Sequence, residues 1–571
     1  MIRRIAAALA ALTLGACAAH VAPPAPVTAA APKAAVEIQI LAFNDFHGNI
    51  ETPPPVEVTE ADGTKHKIVT GGAAHLAAAL AGLRVGHANT VIVSAGDTIG
   101  ASPLVSANYL DEPTIDAMNL MHLEIGSVGN HEFDRGADEL KRMQSGGCAK
   151  FTRRTPCAVE PFSGARFRYL AANVVQPDGT TIFPATAIKR FQTPAGPITI
   201  GFIGETLKGT ANLVTPSGVR GLTFKDEAET ANALVPKLKA EGADAIVLLI
   251  HQGGKTPQFT AGNTCDGLTG EILPVVQRLD PAIQTVISAH THWAYICRGT
   301  PAQVGPGRLL TSAGKYCYFV TDLRLEFDPA THRLISQDAH NIVVGDGERG
   351  EDQAEKALVD RYAAAVAPIA NRIVGRLSAP APNAQDDGES PAADLIADSM
   401  LAATRAPQNG GAQLALVNAS GVRVPLPAGA IKYADAFSMM PFGNNLVVMT
   451  LTGAQLKAAL EQQNQGALPP AGLRPHALAS SAGFIYTVDL SRPSGDRILD
   501  MRLNGKPIAP AGKYRVVVNN FLASGGDGIS RFTAGTDISD KGIIDLDALV
   551  DWIAPGRIPP APNRIRLLGL R

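Results

Sequence analysis

From residue 36 to about residue 344, short β-rich runs alternate with stretches of helical periodicity, and this alternation limits the chain to few folds. It predicts a layered α/β domain, with strands gathered into sheets and helices covering their faces. The β-rich runs are 36–43, 90–94, 168–174, 198–203, 245–250 and 285–288, and apolar residues recur at helix spacing between them, as at 75–83 and 227–239.

Five short segments end these strands or lie between them and carry metal-binding side chains. They are Asn44-Asp45-Phe46-His47-Gly48-Asn49, Ser94-Ala95-Gly96-Asp97, Gly129-Asn130-His131-Glu132-Phe133-Asp134, His251 closing the run 247–250, and Ser288-Ala289-His290-Thr291-His292. In open α/β sheets ligands gather beyond the carboxyl ends of the strands, so these segments converge although they lie far apart in sequence. Taken singly, Asp97 reads equally well as a helix cap and His251 as a hydrogen-bonded interior residue. Their recurrence at five places, mostly among Gly and small residues, makes a shared site the better reading. His75, His87 and His122 lack that context and are read as structural. Mixed carboxylate, imidazole and amide donors suit Zn, Mn, Co or Fe and do not suit a cysteine-type zinc site. Two such ions, about 3.5–4 Å apart and bridged by a shared Asp, would supply the nucleophile for attack on phosphorus, so no Ser or Cys nucleophile is needed.

The 571-residue length exceeds what one core serves and implies two substantial domains. A charged start, a helix-like run and a Pro- and Asp-rich stretch mark 345–390 as a linker helix plus loop. A second domain follows at 391–553, with a helix near 393–403 and strands near 413–417, 446–451 and 514–518, and a Pro- and Arg-rich tail at 554–571 is expected to pack on the surface. The net charge of -2 offers no basic face for a nucleic-acid polymer. Small polar substrates remain open, and no protein partner is predicted.

Residues 1–17 have the charged start and short apolar middle of a secretory signal and end Leu14-Gly15-Ala16-Cys17, which resembles a bacterial lipobox. The expectation is export with membrane attachment through a lipidated Cys17, at the cell envelope, followed by an Ala/Pro-rich tether at 18–35. Export favours disulfides. Cys148 with Cys157 and Cys265 with Cys297 are the candidate pairs, leaving Cys317 free in a predicted strand.

The metal-type segments resemble the motifs of calcineurin-like metallophosphoesterases, and specifically the 5'-nucleotidase family, over nearly the whole chain after the leader. The resemblance implies a metallophosphoesterase domain of two sheets flanked by helices, spanning 36–344, joined to a second α/β, substrate-binding domain. It implies one metal held by Asp45, His47 and His292, a bridging Asp97, and a second metal held by Asn130, His251 and His290. His131 and Asp134 resemble the catalytic dyad. In the second domain, Phe442 and Phe521 match the rings that sandwich the base, and Asp527 matches the residue on the ribose. Asn444, beside Phe442, falls in the same substrate loop, and Arg423 ends a Gly-rich loop as a candidate phosphate clamp. In relatives the second domain rotates to deliver substrate, and the linker is long enough for such motion.

Two departures stand out. Ala289 occupies a position where the family has Gly, which predicts crowding of the turn. Residues 387–396 lack the arginines some relatives carry, with Asp394 where Asn is usual, which predicts altered contacts to terminal phosphates. The expected activity is hydrolysis of 5'-nucleotides to nucleoside and phosphate. The alternatives are a pyrophosphatase acting on UDP-sugars or NAD, a 2',3'-cyclic phosphodiesterase, and a nucleotide-binding surface lipoprotein without turnover.

Overall fold

The computed structural model describes residues 34–569 apart from 60–62, 153, 261, 300–303, 346–348, 384–388 and 464–476; the leader and Cys17 lie outside the described residues. Two six-stranded sheets carry the first half. One runs in the order Leu334–Val343, Phe319–Phe327, Val36–Phe43, Thr90–Ser94, Ile125–Ser127, Arg168–Leu170, and the other Ala294–Arg298, Leu309–Ala313, Ile283–Ser288, Ala245–His251, Gly196–Thr206, Thr186–Thr193.

The sheets pack face to face. Ile38, Ile40, Val91 and Val93 of one meet Ile200, Phe202, Val247 and Leu249 of the other, and all are buried. Outside them, helices Ala73–Leu83 and Glu112–Leu120 cover the first sheet, and Glu227–Ala240 with Ile272–Arg278 cover the second. Coverage on both faces is why Ala245–His251 is buried along its whole length instead of alternating. The sheets bring the carboxyl ends of Val36–Phe43 and Thr90–Ser94, parallel neighbours, beside those of Ala245–His251 and Ile283–Ser288.

Local chemistry sets the helix ends. Asp226 accepts from the Glu229 amide to open Glu227–Ala240, with Glu227 and Glu229 in the first turn and Lys237 and Lys239 in the last, each sign matched to the helix dipole. Helix Gln353–Ala370 is capped by Asp352 and buries Glu355, Leu358, Tyr362 and Val366, one stripe at helix spacing. Tyr362 packs its ring edge-on to Tyr109, at 5.2 Å, and the same apolar cluster continues into Ile396, Leu401 and Leu549.

The later part holds a five-stranded sheet ordered Ala479–Ser480, Leu414–Val417, Lys513–Asn519, Asn445–Thr452, Thr536–Ile544, and a four-stranded one. The tail is exposed or half-buried apart from Arg564 and Ile565, and it is tied to the second half as an added strand. Ile565–Leu568 pairs in parallel with Phe484–Asp489, and Arg564 is buried, donating to Asp398 and to the Ser480 carbonyl.

Both disulfides form as the spacing suggested, Cys148 with Cys157 and Cys265 with Cys297. Cys317 is free and buried, but it sits in a left-handed turn (φ 53°) just before the strand Phe319–Phe327 instead of within a strand. In the same turn the Tyr316 amide donates to the Asp45 carbonyl, at 2.8 Å. Among the described residues no helix is long and apolar enough to cross a membrane.

Candidate active site

All seven residues expected to ligate metal come together, and their backbones are unusual. Asp45 (φ 50°), His47 (49°), Asp97 (49°), His290 (74°) and His292 (65°) occupy the left-handed region, which L residues other than Gly rarely adopt. Such conformations cluster where function over-determines them, because each costs about 1–3 kcal/mol. Glycines let the loops approach: a Cβ on Gly129 would lie 2.2 Å from Asp97 Oδ1, and one on Gly100 2.3 Å from the His131 carbonyl.

The side chains are tethered at one end and bare at the other. Asp45 Oδ2 accepts from Asn44 Nδ2 (2.6 Å) and the His290 amide (3.0 Å), while Oδ1, fully buried, has no hydrogen bond. Asp97 Oδ1 accepts from the His131 amide (2.9 Å), while Oδ2 is likewise bare. His47 Nδ1 lies 2.9 Å from the Gly100 carbonyl and His251 Nδ1 2.9 Å from the Ala95 carbonyl. A carbonyl only accepts, so both Nδ1 atoms carry the proton, and in the neutral ring the Nε2 lone pair faces inward. His251 Nε2 and Asn130 Oδ1 are also buried without a hydrogen bond.

The inward atoms face one another. His47 Nε2 lies 3.0 Å from His292 Nε2, 3.8 Å from Asp45 Oδ1 and 3.7 Å from Asp97 Oδ2; His292 Nε2 is 3.6 Å from Asp45 Oδ1, and the bare His251 Nε2 is 2.9 Å from Asp97 Oδ2, close but not aligned for a hydrogen bond. Asp45, His47 and His292 form one cluster able to hold an ion, and Asp97, His251 and His290 another. Orphaned buried donors in two adjoining groups are what divalent cations would satisfy, and the mixed oxygen and nitrogen set fits them.

Electrostatics agree. Burial raises the Asp45 carboxyl to about 7, against the pull of His251 and with the push of Asp97. For Asp97 burial pushes the same way, but His251 and His131 outweigh it and hold the group below the ordinary carboxylate range. Burial lowers His290 to about 3 and also keeps His47 and His292 neutral, the ligating form. On His251 burial is outweighed by Asp97 and Asp45, which raise it to about 9, so a proton and a cation compete for that nitrogen.

His131 Nδ1 lies 2.9 Å from Asp134 Oδ2, and both line a cavity of about 200 Å³ with Phe442, Phe521, Asn444 and Asp527. The Phe442 ring lies over His131 at 6.0 Å, nearly parallel. Asp527 Oδ2 accepts from Asn418 Nδ2 (2.9 Å) and Ser420 Oγ (2.7 Å). Arg423 lines the same cavity, its Nη2 buried with no hydrogen-bond partner.

The structure bears on Ala289 and on Asp394, while residues 387 and 388 lie outside the described residues. Ala289 has no positive φ, and its methyl packs in the core between the sheets, so nothing crowds. Asp394 lines neither cavity at the site; it is buried near Glu389, Arg564 and Asp398, so its identity bears on packing of the second half and not on phosphate contacts.

Three contributors were not assigned from sequence. Glu132 accepts from the amides of Asp97 (3.0 Å), Thr98 (2.8 Å) and Gly129 (2.7 Å), tying two ligand loops together; its place beside His131 was the available signal. Asn44 bonds both Asp45 and the Gly314 carbonyl. Tyr316 (φ 54°) sets its ring 6.0 Å from His47 and 6.3 Å from His292, and nothing in the spacing pointed to it.

The family model described as calcineurin-like phosphoesterase matches residues 38–294, and that described as 5'-nucleotidase, C-terminal domain matches residues 370–534. The chain is 30% identical over 497 residues to Endonuclease YhcR of Bacillus subtilis, covering 86% of this chain and 38% of that protein. It is 30% identical over 544 residues to the cell wall protein Lmo0130 of Listeria monocytogenes, covering 88% and 65%. The chain thus spans less than two thirds of either of these relatives. A crystal structure of a 5'-nucleotidase precursor from Thermus thermophilus superimposes with a TM-score of 0.73 at 26% identity, over 93% of this chain and 99% of that one. The chain belongs to the 5'-nucleotidase family of phosphoric ester hydrolases, with a calcineurin-like phosphoesterase domain followed by a 5'-nucleotidase C-terminal domain.

Proposed function

We propose that the chain hydrolyses 5'-nucleotides to nucleoside and phosphate outside the cytoplasm, using two divalent ions. The observation that carries this reading is the set of bare, buried atoms on Asp45, Asp97, Asn130 and His251, opposite the unpaired Nη2 of Arg423. Asp45, His47 and His292 would hold one ion, Asn130, His251 and His290 the other, and Asp97 would be shared. Bound divalent ions supply Lewis-acid charge for the phosphoryl oxygens and a water acidic enough to attack near neutral pH.

The other steps belong to the chain itself. Arg423 grips the non-bridging phosphoryl oxygens, which gain charge in the transition state. His131, oriented by Asp134, donates to the oxygen that leaves with the nucleoside. Phe442 and Phe521 flank the base and Asp527 meets the ribose. A cavity of about 200 Å³ is smaller than the roughly 300–1,000 Å³ usual for ligand sites, so admission requires Phe442 to withdraw from His131, by opening between the two halves or by movement of its loop.

Export is supported by the two disulfides and by the leader sequence, which also motivates anchoring through Cys17. The test is phosphate release from AMP by metal-stripped protein, with Mn, Zn, Co or nothing added back. Metal-dependent conversion of AMP to adenosine is expected; AMP bound but never cleaved under any metal would replace this reading with a nucleotide-binding lipoprotein.

A further inference from the structure

A second cavity, of about 850 Å³, opens on the far side of His292 and meets the first at Ala101, His292 and Arg423, which line both. The two differ in kind. The first holds about 200 Å³ and is closed over His131 by the Phe442 ring, so a nucleoside there leaves only when that ring withdraws. The second starts at the phosphoryl end of the site, where Arg423 stands, and its wall is largely apolar, with Trp293 packed edge-on to Phe259 at 5.6 Å. One further cation lines it. Lys315 forms no ion pair among the described residues; its Nζ lies 4.6 Å from the centre of the Tyr316 ring, which itself stands 6.3 Å from the His292 ring. Of the carboxylates on the wall, Glu57 is paired with Lys65 at 3.1 Å and Asp435 accepts from the Lys432 amide at 2.8 Å, which leaves Glu51. A cation between low-dielectric walls draws anions toward it, while Glu51 keeps the hold weak, as a path that must release its ion requires.

We propose that the second cavity is the route by which inorganic phosphate leaves the reaction centre, with Lys315, beside Arg423, as a waiting site for the anion on its way to solvent. This rests on the reading of the first cavity as the nucleoside site. Hydrolysis makes two products of unlike chemistry, a nucleoside held between aromatic rings and a small anion held by cations. Separate exits let the phosphate depart while Phe442 still covers the nucleoside. The waiting site lies outside the position taken by the phosphoryl group of a bound nucleotide, so phosphate can occupy it while substrate fills the first cavity.

The test is inhibition of AMP hydrolysis by inorganic phosphate in the metal-loaded full chain and in Lys315→Ala and Lys315→Arg. In the parent, phosphate should raise the apparent KM and also lower the apparent kcat, the second effect coming from the waiting site. In Lys315→Ala the inhibition constant for that second effect should rise about tenfold, the size of one charge-assisted hydrogen bond, with smaller changes in KM and in the competitive constant. Lys315→Arg should restore it. Purely competitive inhibition in the parent would overturn the proposal, as would an unchanged constant or all constants moving together, which would put Lys315 on the reacting phosphoryl group. The path itself is tested by Ser438→Trp, which narrows the cavity from the second half of the chain. Adenosine formed in quenched samples should then outrun phosphate appearing free in solution; equal progress of the two would exclude this route. If AMP is not cleaved, the parent reading fails separately, and inorganic phosphate is titrated against Trp293 fluorescence in a Trp552→Phe background. A response lost in Lys315→Ala would keep the waiting site; no response, or one that Lys315→Ala leaves intact, would remove it.

Discussion

Replacing Arg423 by Ala should separate catalysis from stability more cleanly than any other single change at the site. The guanidinium is half-buried, its Nη2 is bare, and the residue forms no ion pair among the described residues, so the fold gains little from it. A charge-assisted hydrogen bond contributes about 1.5–3 kcal/mol, which converts to a loss of roughly 10- to 160-fold in kcat/KM for AMP. Removing a buried donor that nothing satisfies should leave the melting temperature unchanged or slightly raised. Arg423→Lys should recover part of the loss, since it restores the charge without the two-pronged geometry. The assay is steady-state AMP hydrolysis at saturating metal, beside thermal unfolding of the same preparations. Activity within twofold of the parent, or a marked drop in melting temperature, would refute the reasoning and return Arg423 to a structural role.

His131→Ala should lower turnover about 100-fold or more while metal content, measured by elemental analysis, stays intact. Glu355 is buried with neither carboxylate oxygen hydrogen-bonded, and burial, aided by Asp352, raises it to about 9 from the ordinary 4.5. The folded chain therefore holds a proton there that the unfolded chain has lost, and stability falls as pH rises from about 4.5 to about 9, by up to roughly 1.4 kcal/mol per pH unit. Glu355→Gln should flatten that slope in denaturant unfolding measured across the range, gaining most at alkaline pH; parallel slopes would show that the group ionises freely in the fold.

Much of the molecule was readable from local pattern. Runs such as 36–43 and 90–94 appear as strands with the same limits, because each is rich in β-branched and apolar residues and is bounded by turn-forming ones. The ligand-type residues announced themselves because each strand-end loop carries its chemistry within a few positions. The run 168–174 was read as one strand and is two, Arg168–Leu170 and Val174–Val175; Asn173 turns aside to bond the Thr206 carbonyl, a partner 33 residues away.

By itself the sequence determined the layered α/β class, the ligand-type side chains and the family, since these rest on periodicity, residue type and motif, and it offered the two disulfides as candidate pairs that the fold then joined. Tertiary structure alone decided which oxygens of Asp45 and Asp97 stay bare, that Arg423 has no ion-pair partner among the described residues, that Asp394 lies away from the site, and that Tyr316 and Trp293 wall a second cavity. The physical reason is range. Hydrogen-bond satisfaction and cavity shape depend on neighbours brought by pairings such as Val36 with Phe327, and no local pattern records which distant group will arrive.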